Sequence, residues 1–172
     1  MNEIIGKANT HGFKFEEVRE LKEKFPRLKF IIKGIMCAED ALLACENGAD
    51  AVYVSNMGGR ALDTVPSTIS VLPFIARQVK SQYPDIKIFF DGGIRRGHDA
   101  LKALAYGADF TFVGRPAVWG LAAYGAQGVK DVMNMLKKEL EMAMVLTKCY
   151  EIKDITEKNV IHTVKPVMQA RL

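Results

Sequence analysis

Two short glycine-bearing segments, Asp91-Gly92-Gly93-Ile94-Arg95 and Gly114-Arg115-Pro116, carry the residue types that bind an anion. Glycine lets backbone N–H groups approach a ligand closely, a helix that begins just after such a loop adds partial positive charge, and two arginines can clamp a phosphate through paired N–H donors. A third segment, Ser55-Asn56-Met57-Gly58-Gly59-Arg60, offers another guanidinium, Arg60, whose planar fork suits a carboxylate. Beside it stands Met57, whose thioether has no useful proton affinity near neutral pH. Lys33 closes a short apolar run and adds a fourth positive charge. Turn glycines with surface arginines, and a strand-end lysine reaching solvent, are the ordinary alternatives; two such loops occurring together favour an anion site. Of the histidines, His98 stands at a helix start and reads as a surface or capping residue, while His11 and His162 lie outside these segments.

These residues need elements to hold them. Phe15, Val18, Leu21 and Phe25 recur at helical spacing up to Pro26. The run Lys29 to Lys33 reads as a strand, about Glu39 to Asn47 as a helix closed by Gly48 in the left-handed C-cap position, and Asp50 to Val54 as a second strand. Ser67 to Tyr83 is predicted as a helix that restarts at Pro73, Ile86 to Phe90 as a strand, and His98 to Tyr106 as a helix capped by Gly107. Asp109 to Val113 follows as a fourth strand, then a short helix over Ala117 to Tyr124 and a longer one from Val129 to about Leu146. The strands are apolar at consecutive positions, the pattern of a parallel sheet covered on both faces.

An internal repeat runs through this pattern at an offset of 59 residues. Gly34-Ile35 matches Gly93-Ile94, Asp40-Ala41-Leu42 matches Asp99-Ala100-Leu101, Gly48-Ala49-Asp50 matches Gly107-Ala108-Asp109, and Val54 matches Val113. A repeating strand–helix unit with short loops is the mark of an α/β fold of the (β/α)8 TIM-barrel type, although a doubly wound sheet can also repeat. Four strands make half a barrel. In such folds ligands bind at the C-terminal ends of the strands, which is where Lys33, the Ser55–Arg60 segment, Asp91–Arg95 and Gly114–Pro116 all fall. The expected organisation is a loose lead-in over 1–12, the half-barrel over 13–150 and a tail over 151–172.

Composition narrows the classes. Hydrophobic residues at 49% and charged residues at 26% suit a globular chain, and a net charge of +4 with interspersed signs gives nucleic acid little to bind. Cys37, Cys45 and Cys149 are an odd set without CxxC spacing, so reduced thiols and no metal are expected. Without a membrane-length apolar run or a signal-peptide core, the expectation is a soluble intracellular protein with no membrane partner.

Taken in order, Ser55-Asn-x-Gly-Gly-Arg60-x-Leu-Asp63, Asp91-Gly-Gly-Ile-Arg95-Arg-Gly97 and Gly107-Ala-Asp109 leading to Gly114-Arg115-Pro116 resemble the FMN-dependent 2-hydroxy-acid oxidases and dehydrogenases, the glycolate oxidase-like flavoproteins. The phosphate loops alone are also similar to those of other barrels such as IMP dehydrogenase. The resemblance runs from about Phe15 to Leu146 and covers the C-terminal half of that family's catalytic domain. It implies an oxidoreductase that turns a small 2-hydroxy acid into a 2-oxo acid with FMN as cofactor and passes electrons to oxygen. It also implies roles: Lys33 beside the flavin pyrimidine edge, Ser55 against the flavin, Arg60 on the substrate carboxylate, and Asp91, Gly92, Gly93, Arg95, Gly114 and Arg115 on the ribityl and phosphate. Met57 departs from the pattern, because the family's general base, a histidine, belongs there. Impaired turnover is therefore expected. A non-catalytic half-barrel, self-associating or paired with a complementary half, and a truncated gene product are the alternatives.

The terminal Ala170-Arg171-Leu172 is similar to the Ser-Lys-Leu peroxisomal address. It implies recognition by the peroxisomal import receptor and a peroxisomal location, with the cytoplasm as the alternative.

Overall fold

The computed structural model describes residues 14–161. Helix α1 (Glu16–Lys24) precedes strand β1 (Ile31–Ile35), helix α2 (Ala38–Glu46) and strand β2 (Ala51–Val54). After a 3-10 turn at Met57–Gly59 come α3 (Thr68–Gln82), β3 (Lys87–Phe90), α4 (Gly97–Ala105), β4 (Phe110–Thr111) and the long α5 (Arg115–Leu146), then 3-10 turns at Ile152–Asp154 and Glu157–Asn159. The tail reading over 151–172 therefore begins with folded chain: Ile155 is buried against Leu101, Ala105 and Cys149. The tripeptide at 170–172 lies outside the described residues, as do the lead-in over 1–12, His11 and His162.

All four strands are parallel and lie side by side in sequence order, β1-β2-β3-β4. A doubly wound sheet would reverse this order at a switch point, so the arrangement is that of a barrel segment: an α/β fold of the (β/α)8 type with four strands. Because parallel crossovers keep one hand and these always advance in one direction, the helices gather on one face. Val52, Val54, Ile88 and Phe90 point there and are completely buried with Leu72, Ile75 and Val79 of α3. Burial of each such side chain is worth about 1.5–3 kcal/mol.

Among the described residues no helix covers the strands' other face, contrary to the two-sided burial expected from their consecutive apolar residues. That face carries Tyr53, Phe89, Phe110 and Phe112, whose rings meet at centroid distances of 5.0 to 5.8 Å. Phe110 remains 52% exposed and Phe112 38%. Each strand alternates its side chains, so a run apolar at every position supplies both faces whether or not the second has a neighbour.

The repeat has a structural counterpart and a one-residue slip. Asp50 accepts hydrogen bonds from Phe30 N–H and Lys29, with Lys22 at 3.3 Å. Asp109 likewise accepts from Ile88 N–H and Lys80, with Lys87 at 3.7 Å. Burial raises the Asp50 carboxyl's pKa, but the Phe30 N–H and the two lysines outweigh it and hold the group below its usual value. The acceptors are 59 positions apart but their donors only 58, so the gapless repeat begins within the first strand. Correspondingly, β1 starts two residues later than predicted, bulges between Lys33 and Ile35, and continues to Ile35. Strand β4 is shorter than predicted.

Pro73 lies inside α3 rather than restarting it. Proline leaves the carbonyl four residues back without its helical donor, and the adjoining buried Leu72 and Ile75 offset the cost. Helix α5 does break, at Tyr124 and Gly125, dividing it much as the two predicted helices require. Its halves cross at two glycines: a Cβ on Gly120 would stand 2.5 Å from the Gly128 carbonyl oxygen, and one on Gly128 would stand 2.0 Å from that of Gly120. This crossing anchors the short first half, whose N-terminus follows the Gly114 loop. Gly128→Val should therefore cost about 1–3 kcal/mol through overpacking, measured as a fall in the urea midpoint at unchanged m; an unaltered midpoint would refute the tight crossing.

Candidate functional site: a cationic cavity at the strand ends

The C-terminal ends of the strands surround a cavity of about 340 Å³. From β1 comes Lys33, from the turn after β2 Met57, Gly58 and Arg60, from the loop after β3 Asp91 to Arg95, and from the segment after β4 Phe112 to Pro116, with Val118 one turn into α5. Arg95 and Arg115 thus reach the same cavity from neighbouring loops. Four cationic side chains line it against one carboxylate, Asp91, which Lys33 already pairs. The surplus is positive, as an anionic ligand requires.

The predicted glycines have two different physical reasons. Gly92 has φ +104, and a Cβ there would meet Thr68 Oγ1 at 2.4 Å, so this position serves packing. Gly93 and Gly114 would put a Cβ into open space, and both line the cavity. There the absent side chains leave room for a ligand beside the backbone. Pro116 occupies the first turn of α5, where its missing N–H removes no helical bond, and the helix presents its N-terminal partial charge to the same space. These features fit a phosphate headgroup.

Arg95 is steadied by an indole: its guanidinium carbon lies 5.9 Å from the Trp119 ring centroid. Arg115 Nη2 reaches the Gly58 carbonyl at 3.5 Å, and Arg60 Nε donates to the Met57 carbonyl at 2.9 Å. Trp119 was not singled out in the sequence; its position one turn after Arg115, on the helix that follows the phosphate-type loop, was the available signal.

The turn holding Met57 is tightly specified. Asn56 Oδ1 accepts from Gly58 N–H, and the buried Ser55 Oγ accepts from Met57 N–H at 3.2 Å. Ser55 lies beneath the turn and is not among the residues lining the cavity. Met57, Gly58 and Gly59 all have positive φ, at 56°, 69° and 74°. A left-handed conformation at a non-glycine residue costs about 1–2 kcal/mol and is better tolerated by Asn, Asp or His. Met57 is therefore an uncomfortable occupant, 42% exposed at the cavity wall. His98 does not line the cavity and stands 3.7 Å from Asp99.

Under Lys33 lies a residue missed in the sequence. Tyr53 is its register partner on β2, and the Lys33 ammonium sits 3.6 Å from the Tyr53 ring centroid. Strand alternation puts Tyr53 and Ser55 on one face, but the cross-strand pairing depends on register, which no single segment reveals. Among the described residues no cluster of His, Cys, Asp and Glu could hold a metal ion, and no helix is long and apolar enough to cross a membrane.

This geometry has close relatives. The family model for FMN-dependent dehydrogenases matches residues 1–162. A 2-hydroxyacid oxidase of Dictyostelium discoideum is 46% identical over 155 residues, which are 90% of this chain and 39% of that protein. A peroxisomal (S)-2-hydroxyacid oxidase of Arabidopsis thaliana is 45% identical, over 91% of this chain and 42% of its own length. Among solved structures, a lactate oxidase of Pediococcus acidilactici superposes with a TM-score of 0.82 at 42% identity, covering 90% of this chain and 42% of that one. The chain thus spans about two fifths of the length of the relatives it matches. It belongs to the FMN-dependent dehydrogenase family.

Proposed function

We propose that this chain holds the phosphate of FMN between the Asp91–Arg95 loop and the start of α5, as part of an oxidoreductase of the (S)-2-hydroxy-acid oxidase type with impaired turnover. The convergence of Arg95, Arg115 and the open glycines Gly93 and Gly114 on one cationic cavity carries this reading. When bound, FMN supplies the two-electron acceptor for oxidising a small 2-hydroxy acid to a 2-oxo acid. Arg95 and Arg115 neutralise the dianionic headgroup, with the α5 N-terminus adding partial positive charge. Lys33 and Asp91 hold the cavity floor, and Ser55 fixes the turn from which Arg60 offers its guanidinium to the substrate carboxylate. Met57 stands where the proton must be taken and cannot take it; loss of a general base costs about 10² to 10⁴ in rate. The similarity to a 2-hydroxyacid oxidase and a lactate oxidase supports the substrate class.

The purified chain is expected to bind FMN at least about tenfold more tightly than riboflavin, a difference that Arg95→Ala or Arg115→Ala should erase, since a charge-assisted hydrogen bond contributes about 1.5–3 kcal/mol. Equal affinities in the unsubstituted protein would overturn the phosphate site. With glycolate or lactate and oxygen, peroxide should form far below the rate of full-length relatives, and Met57→His alone should not restore it; a recovered rate would place the defect in Met57 alone.

A second reading, supported by the open aromatic face, is that two copies pair. Among the described residues β1 and β4 are the outer strands of the sheet, and because the two strand–helix units repeat, β4 meeting β1 of a second copy would reproduce the β2–β3 junction. Light scattering on the eluting protein should then give a dimer, and a strictly monomeric mass would exclude it.

Ala170-Arg171-Leu172 supports delivery to peroxisomes by the import receptor, as does the Arabidopsis relative's name. A fluorescent fusion at the N-terminus should colocalise with peroxisomes and become diffuse when the last three residues are removed; unchanged distribution would dismiss the tripeptide.

A further inference from the structure

Lys33 is the cavity cation nearest the sheet, and its placement is determined from below as well as from the side. Its ammonium pairs with Asp91 across two strands and rests over the Tyr53 ring at 3.6 Å from the centroid. The Tyr53 ring is in turn fixed by Phe89, edge-on at 5.8 Å and 74°, and by Phe112, tilted at 35° and 5.0 Å. Burial first, then the nearby charge of Asp91, keeps its phenol protonated well beyond the ordinary tyrosine range. A cation held over an aromatic face gains about 0.5–2 kcal/mol depending on desolvation, and the Asp91 carboxylate holds the same ammonium from the side. Without the ring, the Asp91 pair alone holds a long, 41% exposed side chain that otherwise reaches toward solvent.

We propose that Tyr53 is a positioning residue for Lys33, keeping its ammonium at the cavity floor where an electron-rich ring system would meet it. Tyr53 does not line the cavity and acts through Lys33 and Asp91. The ligand half of this inference rests on the FMN reading above; the placement half does not.

The test uses the whole chain with Tyr53→Phe, which keeps the π face, and Tyr53→Leu, which removes it, with Tyr53→Met replacing the latter if it does not fold. In the ligand-free protein, the ε-methylene protons of Lys33, assigned by their loss in Lys33→Met, should be shifted upfield by the ring. The shift should persist in Tyr53→Phe and vanish in the leucine or methionine variant. A fold alone does not predict that pattern, and absence of the shift in the unsubstituted chain, or its survival without the ring, overturns the placement.

In the second arm, fluorescence titration should show FMN and riboflavin both weakened about twofold to thirtyfold by loss of the ring and changed little by Tyr53→Phe, whereas Arg115→Ala weakens FMN alone. Unchanged affinity after loss of the ring overturns the ligand half. If the unsubstituted chain binds neither flavin, the FMN reading fails with that half, and the upfield shift alone decides the placement.

Discussion

A parallel strand can be followed by a parallel neighbour only through a crossover, and the crossover has a fixed hand. When every crossover also advances in one direction, two consequences are unavoidable: the helices share one face of the sheet, and the loops that leave the strands share one edge. The cavity is the second consequence. Lys33, the Met57 turn, the Asp91–Arg95 loop and the Gly114 loop, spread over more than eighty residues of chain, meet because each follows a strand. The open aromatic face is the first consequence, seen from the other side. Both follow from the sequential order β1-β2-β3-β4.

Much of this was legible in the residues. The helices announced themselves by apolar spacing and by Gly48 and Gly107 at their ends, which adopt the positive φ that their position demands. The lining of the cavity was legible because its glycines and arginines stand in short local segments that carried their own position relative to strands. What could not be read depended on partners distant in sequence. The stack of Lys33 on Tyr53 needs the register of two strands. The two-sided burial expected of the strands failed because periodicity reports which residues are apolar, not which face finds a neighbour. Gly92 looked like its companion Gly93, yet one answers to Thr68 and the other to open space, a distinction that only packing supplies.

Met57 combines two departures at one position. Its backbone is held left-handed by the hydrogen bonds of Ser55 and Asn56, a conformation that suits a short polar or imidazole side chain better than an unbranched thioether. Its thioether has no useful proton affinity near neutral pH. What the turn brings to the cavity is therefore shape and, through Arg60, charge. Arg60, held by the Met57 carbonyl rather than by the Met57 side chain, is insulated from that change.

The chain holds a single tryptophan, and that residue is the one beside Arg95. An anion that draws the guanidinium toward itself must also alter the contact with the indole. The protein therefore carries a built-in optical gauge of the Arg95 side chain: its tryptophan emission arises beside that guanidinium.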